Sequence, residues 1–527
     1  MVQYNDDEKP FTPNAAPAGS RITKGLVTLQ PVKYNKDDVS LGEDMVTAEV
    51  ELSARLSTAV REKLDLVMVL DVGDSMAGAR VEMLKKAMRF VLMKLTPVDR
   101  LSIVTFSDEV KRLCPLRFMT HVAKDDLKLL IDGLEAGGEP NLLAGLETGL
   151  EVISGRRHTT GRTGNIFLVS AGPCTEENIA EAVCNLYVDI TDEVAVYTFG
   201  LGNSKDASEL HRLLAEISVQ SLGGTFNWVP DGASLSAALS QPLAGLLTVV
   251  AQDVEVTLTP RRDDDPNARD LAKMEASPGV WGEHDPSRDR ATGAITFKFG
   301  ALFSGESRKV IVNFRLSHSA AEATRYDAEL ADVQHSYTAQ GIAQGPRAPQ
   351  LVQVRRSPNP TGAGGTSSRA RRLRAEQARR QHISVISRSE MDLTLGPGPR
   401  DLDRVRYRLV AAQNALEDIV LDEDGNKGMV GTLRAEIRLL LALVLRKSPE
   451  VYQVKGAPYV FATKGSHIKQ RFAARGHDID VIRLYATPRM DTYLQQARQF
   501  DKDPDELLPN ADEDAKNNEA ALRTTMP

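Results

Sequence analysis

Residues 64–78, LDLVMVLDVGDSMAG, decide how this chain is read: an apolar run interrupted only by Asp65 stops at Asp71 and gives way to Val72, Gly73, Asp74 and Ser75. Branched apolar side chains without a helical period suit a strand covered on both faces, as in a parallel sheet. Residues 83–95, MLKKAMRFVLMKL, follow with apolar side chains three and four apart and basic residues mostly between them, the pattern of a helix with one buried stripe. Open α/β sheets bind ligands at the carboxyl ends of their strands, so Asp71 to Ser75 stand where a site is expected.

Outward from this stretch, strands are expected at 64–70, 101–106, 166–169, 194–199 and 225–229. Helices are expected at 81–95, 124–134, 142–154, 176–187, 207–217 and 234–250. Such alternation predicts a doubly wound parallel sheet with helices on both faces. Before it, residues 25–32 and 45–54 alternate apolar and polar positions, with Val46, Ala48, Val50 and Leu52 on one face. After it, VEVTLTP, ITFKFGALF and RKVIVNFRL read as strands without intervening helices. The expected organisation is therefore a disordered tail (1–22), a β-hairpin (23–58), the α/β domain (59–250), a β-sandwich region that the hairpin completes (251–345), a linker (346–368), a helical domain (369–500) and an acidic disordered tail (501–527).

Length and composition bound the function. The 527 residues are too many for one core, and the net charge of -7 argues against wholesale nucleic-acid binding. The three cysteines, Cys114, Cys174 and Cys184, form no CxxC, so neither a zinc site nor a disulfide framework is expected. There is no signal-peptide pattern and no run of 18 apolar residues, and the expectation is an intracellular protein without membrane association, cytoplasmic with the nucleus as alternative. RARRLRAEQARR at 369–380 reads as a solvated helix face, or else as a nuclear-localisation signal or anion-binding patch. The acidic turn Asp422, Glu423, Asp424 lacks the twelfth-position glutamate of a calcium loop.

The segment LDLVMVLDVGDSMAGARVEMLKKAM, with DRLSIVTFS, GGEPNLLAGL and FLVSAG, resembles a von Willebrand factor A (vWA) domain. More narrowly it is similar to the A domains of plant ubiquitin ligases that carry an N-terminal RING finger. The resemblance extends to VSLGEDMVTAEVELSA and to the C-terminal SHIKQRFAARG and ATPRMDTYL. It implies a Rossmann-like vWA fold and a tie to ubiquitin signalling. It does not imply RING ligase activity for this chain, because three scattered cysteines cannot hold the two zinc ions of a RING.

Domains of this kind hold a divalent cation, often magnesium, through a DxSxS loop, a threonine from a second loop and an aspartate from a third. A hard cation wants octahedral oxygen, which such side chains supply. Against that pattern Asp71 and Ser75 match, whereas Gly73, Pro140 and Ala171 stand where the family has oxygen donors. Asp74 and Glu139 are the neighbours able to rebuild a site. The expected reading is a degenerate site in which Asp71 and Ser75 are structural, with no cofactor and magnesium at low occupancy as the alternative.

Function is then expected to be protein binding without chemistry. The face is formed by loops 73–80, 137–142 and 171–176, including Gly73, Asp74, Glu139, Asn141, Ala171 and Cys174, and the partners are other proteins, among them related vWA proteins. One competing reading is a metal-dependent adhesion module. Another is a GDSL-like esterase with Ser75 as nucleophile and Asp332 and His335 completing a triad. His467 and Arg471, four apart, are expected to share a helix face and to pack the C-terminal domain.

Overall fold

The computed structural model describes residues 25–36, 38–56, 60–172, 194–205, 207–261, 272–276, 286–318, 325–346, 348–360, 368–394, 398–421, 427–446, 448–477 and 479–517. The expected tail at 1–22, the helix at 176–187 and the turn Asp422 to Asp424 lie outside them.

Four strands open the chain: β1 (Val27–Leu29), β2 (Lys33–Tyr34), β3 (Asp38–Ser40) and β4 (Asp44–Ala54). In β4 the alternating Val46, Ala48, Val50 and Leu52 are all buried, which fixes the register, since a one-residue slip would send every one of them to solvent. β1 pairs antiparallel with β4.

The α/β unit follows, with β5 (Lys63–Asp71), β6 (Arg100–Phe106), β7 (Val110–Arg112), β8 (Arg117–Phe118), β9 (Arg162–Ala171), β10 (Ala195–Leu201) and β11 (Phe226–Val229) in the order β11-β10-β9-β5-β6-β7, β8 also pairing with β6. All neighbours are parallel except β7 and β8, which return antiparallel along β6. β5 is central and nearly every residue in it is buried, as its unpatterned apolar run requires. Helices α1 (Ala79–Lys94), α2 (His121–Asp132), α3 (Leu142–Ser154), α4 (Ala207–Gln220) and α5 (Leu235–Leu246) cover the sheet. Thr120 and Asn141 start α2 and α3 by accepting the backbone N–H of Ala123 and Ala144.

Eight more strands build the sandwich: β12 (Val249–Pro260), β13 (Ala272–Ala276), β14 (Ser287–Arg288), β15 (Ile295–Phe303), β16 (Ser307–Leu316), β17 (Tyr326–Ala339), β18 (Ile342–Gln344) and β19 (Gln350–Ser357). One sheet runs β1-β4-β16-β13 and the other β14-β15-β12-β17-β19-β3, so the N-terminal strands serve both layers. Residues 350–357, assigned to the linker from sequence, are thus a strand. Val352, Val354 and Arg356 face inward, a period-2 pattern that the prolines at 346, 349 and 358 obscure.

Helices α6 (Ser368–Thr394), α7 (Pro399–Glu417), α8 (Lys427–Val444), α9 (Ala457–Lys469) and α10 (Pro488–Lys502) complete the chain. They do not stand apart as a domain. The stripe Val430, Leu433, Ile437, Leu440 and Val444 on α8 joins α3, α4 and one face of the central sheet in a single core, while Met490, Tyr493, Leu494 and Phe500 of α10 join the core of the opposite face. The start of the acidic tail is docked as well: the buried Lys94 amine donates to Gln496 Oε1 and the Pro509 carbonyl, both at 2.6 Å, and sits 3.6 Å from Asp514. Burial lowers its pKa to about 8.

The three parts meet at Arg471. Its Nε and Nη2 donate to the Glu306 carboxylate at 3.0 and 3.1 Å, Nη1 to the Tyr197 hydroxyl and Gly223 carbonyl at 3.1 and 2.8 Å, and Nη2 to the Ala301 carbonyl at 2.8 Å. All five N–H groups of the guanidinium are used. α9 ends at Lys469, and Gln470 takes a left-handed conformation, so Arg471 leaves the helix face it was expected to share with His467. Burial alone would raise the Glu306 pKa, but Arg308 and Arg471 hold it below the usual carboxylate value. We predict that Arg471→Met costs about 3–5 kcal/mol, because it strips a buried carboxylate of a partner. Chemical denaturation measures this, and a loss below about 1 kcal/mol, the range of a surface pair, would refute the assignment.

Candidate functional site

β5 ends at the top edge of the central sheet, where Asp71 is fully buried. Its Oδ1 accepts the Gly73 N–H at 2.8 Å, and Oδ2 accepts the Ser170 hydroxyl at 2.7 Å and the Ala171 N–H at 3.0 Å. Both oxygens are therefore engaged by the loops that follow β5 and β9. Burial nevertheless pushes the Asp71 carboxyl above its usual pKa, against these three donors and the nearby Arg80. The Ser75 hydroxyl donates to the Ala171 carbonyl at 2.6 Å, tying the first loop to the third.

Close approach explains two of the glycines. A Cβ on Gly73 would stand 3.0 Å from both the Gly138 carbonyl oxygen and Pro140 Cδ, so the second loop presses where the family pattern places a serine. Gly172 has φ +96°, and a Cβ there would meet Ser75 Cβ at 2.5 Å. Asp74 is exposed, yet its Oδ1 accepts the Gly138 N–H at 3.0 Å. The Glu139 N–H donates to Asp108 Oδ1 at 2.6 Å. Asn141 caps α3. Asp74, Asp108 and Glu139 thus cluster exposed at one end of the sheet, and Arg80 pairs with Asp231 at 2.9 Å close by. Cys174 lies outside the described residues.

The residues of the esterase reading are not brought together. Ser75 belongs to the top of the central sheet, whereas Asp332 and His335 lie within β17 of the sandwich. Asp332 Oδ2 accepts from Arg261, and the His335 ring stacks on Tyr337. The spacing DVQH matched a motif, but a strand in another layer carries it. The basic run is no free-standing patch either: Arg379 is fully buried, paired with Glu376 at 2.5 Å and donating to the His467 carbonyl at 2.8 Å.

One polar cluster escaped the sequence reading. His382 of α6 and His467 of α9 both set Nε2 on Glu436 Oε2 of α8, at 2.7 and 2.8 Å, and Arg475 pairs with the other oxygen. The three potential ligand atoms lie within 4.8 Å of one another. A carboxylate oxygen only accepts, so each Nε2 carries its proton, leaving the Nδ1 atoms without a partner. A metal-bound histidine instead donates its outer N–H to a supporting acceptor. With Arg475 already on Glu436, the geometry is that of a buried ion pair steadied by two imidazole N–H donors. No sequence spacing could have found it, since the two histidines and the glutamate come from three different helices.

A parallel sheet whose first strand ends in this loop, with antiparallel edge strands beside β6, defines a von Willebrand factor A domain. Residues 64–219 match the von Willebrand factor type A domain family, and residues 426–499 match a VWA / Hh protein intein-like family that spans α8 to α10. The chain is homologous to the Arabidopsis thaliana E3 ubiquitin-protein ligase WAV3, 28% identical over 316 residues that make up 58% of this chain and 38% of that protein. E3 ubiquitin-protein ligase WAVH1 of the same plant is 34% identical over 145 residues, 25% of this chain and 21% of the ligase. The chain therefore spans well under half the length of these relatives. Among solved structures, a von Willebrand factor type A protein from Catenulispora acidiphila superposes with a TM-score of 0.57 at 16% identity, covering 77% of this chain and 89% of that one. The ArnB paralog VWA2 from Sulfolobus acidocaldarius gives 0.52 at 13%, covering 84% and 98%. These two share the fold.

The buried cluster titrates in a direction that can be read. Burial holds His467 at about 4, against a usual 6.5, despite the attraction of Glu436. The unfolded chain takes up a proton that the fold refuses, so this stability is complete above about pH 6.5 and is lost as pH falls toward about 4. We predict that His467→Gln, which retains a donor for Glu436, flattens the pH slope of unfolding free energy in that window by up to about 1.4 kcal/mol per pH unit. Urea unfolding across the window measures it, and an unchanged slope in the folded variant would contradict the reading.

Proposed function

We propose that this chain is a non-catalytic protein-interaction module, built on a vWA domain whose metal site is degenerate, and that it acts as a partner or regulator of ubiquitin-ligase relatives. The observation that carries the metal-independent part is the hydrogen bonding of Asp71. Its two oxygens serve Gly73, Ser170 and Ala171, the Ser75 hydroxyl donates to a carbonyl, and Pro140 and Ala171 have no side-chain oxygen to offer. This donor set does not fit a hard cation, which needs about six oxygens. Recognition then rests on direct contacts with the loops bearing Asp74, Asp108 and Glu139, an acidic face that suits a basic patch on the partner. The likeness to the Arabidopsis ligases favours related vWA proteins as partners, with regulation of a ligase as the role.

Biolayer interferometry against the A-domain regions of the Arabidopsis relatives tests both parts at once, with magnesium or EDTA present. We expect binding that is indifferent to EDTA and weakened about tenfold or more by reversing Asp108 and Glu139 to lysine, as for lost charge complementarity. Binding abolished by EDTA, together with a saturable magnesium titration that Asp71→Ala removes, would instead establish metal-dependent adhesion.

A further inference from the structure

Beyond α10 the chain forms a strap, residues 503–517, against the lower end of the A domain, where α1 ends and β5 and β6 begin. α10 itself is held by apolar burial, with Met490, Tyr493, Leu494, Ala497 and Phe500 in the core. The strap is held differently: Ala511 and the partly buried Leu508 are its apolar contributions to that core, and Leu507 is 94% exposed. Charge does most of the holding. Lys94, whose side chain is fully buried, and Arg489, 8% exposed, face Asp514 Oδ2 at 3.6 and 3.7 Å. Among the described residues no other carboxylate lies within 4 Å of either cation. Gln496 donates to Asp514 Oδ1 at 2.9 Å, and Lys94 also donates to the strap carbonyl of Pro509 at 2.6 Å. Beside them Arg61, already paired with Asp99 at 2.8 Å, reaches Asp512 at 3.5 Å.

Burial draws down the pKa of Lys94 and of Lys124, and the strap acids Asp514 and Glu513 act against that loss, with Asp99 also acting on Lys124. The receiving surface therefore suits an acidic ligand, and the strap has the form of one. Asn510 caps the helical residues 511–517: its Oδ1 accepts the N–H groups of Asp512 and Glu513 at 3.0 and 3.1 Å, and Glu513 Oε2 accepts the Asn510 N–H at 2.8 Å. This local box favours the conformation that aims Asp514 at the two cations, which lowers the ordering cost of docking. A contact made by charge with little apolar burial loses to desolvation much of what it gains, so another acidic segment can replace it. We propose that the lower face of the A domain is a docking site for an acidic segment of a partner protein, one that begins a helix and presents an aspartate to Lys94 and Arg489, and that residues 503–517 occupy it as a tethered competitor. The tether holds the strap at a high effective concentration, so only a well-matched partner takes its place. This site stands apart from the acidic top loops and selects the opposite charge.

The test uses the full chain and a fluorescein-labelled synthetic peptide with the sequence of residues 503–517, followed by anisotropy. Asp514→Lys in the full chain leaves every receiving side chain in place and turns the strap's anchor against Lys94 and Arg489. We expect the peptide to bind this variant at least about tenfold more tightly than the parent, where the strap competes. The same peptide carrying Asp514→Asn should bind the variant about tenfold more weakly, as for a lost charge-assisted contact, and adding Arg489→Gln to the variant should weaken the unmodified peptide several-fold. Binding should also fall as salt rises. In the parent, hydrogen exchange should run at least about tenfold faster in residues 511–517 than in the middle of α10, and excess unlabelled peptide should speed exchange in the strap alone. Exchange in 511–517 as slow as in α10 would overturn the proposal, because the strap would then be part of the core. So would a folded Asp514→Lys variant that binds no peptide, or equal binding of the two peptides. A dimer of parent chains formed by exchange of straps would assign the site to a second copy instead.

Discussion

The carboxylate of Glu306 is the point on which the three parts of this molecule depend. It sits in the tight turn between β15 and β16, where it accepts the Phe303 N–H at 3.0 Å, and it is flanked by Arg308 at 2.7 Å and by Arg471. A buried ion pair is poor evidence of net stability, because desolvation cancels much of the attraction. What it supplies here is uniqueness of arrangement. Arg471 reaches its five acceptors only when β10, the sandwich and the segment after α9 are all in place, so no one of the three can shift alone without stranding a charge. Gln470 reinforces this by exchanging two side-chain hydrogen bonds with the backbone of Lys309, at 2.9 and 2.7 Å, in the manner of a neighbouring strand.

Asp71 applies the same principle at smaller scale. Its carboxylate faces the chain's own donors, the Gly73 and Ala171 N–H groups and the Ser170 hydroxyl. The loops fit together: Gly73 leaves room for Pro140 and the Gly138 carbonyl, and Ala171 presents its N–H to Asp71 and its carbonyl to Ser75. Hydrogen bonds cross-link these loops, which keeps the exposed acids in fixed positions.

The central sheet was legible because its signals are local. The run ending at Asp71 fixes β5, the stripe at 83–95 fixes α1, and Leu142–Ser154 appears as read, since Asn141 supplies a start and the apolar period is clean. The strand at 350–357 was missed because proline-rich flanks outweighed a short alternation. The independence of the helical region was misjudged for a related reason. A Gly/Pro/Ser-rich connection says that two segments are tethered, and nothing about whether α9 will pack on α4 and draw the stripe on α8 into the same core. The Glu436 cluster was beyond reach, since it exists only where three helices and the segment after α9 converge.

The segment after α9 also answers a problem that every open sheet has. β11 would expose a row of unpaired backbone groups on its outer side, but the Trp228 N–H donates to the Ala474 carbonyl at 3.0 Å and the Gly476 N–H to the Trp228 carbonyl at 3.1 Å. A stretch some 250 residues away in sequence thus serves as a sealing strip. The unit recognised by sequence family, residues 64–219, stops short of both β11 and the strip that covers it. Moving this A domain into another protein with the edge of β11 still covered would mean carrying its distant seal along.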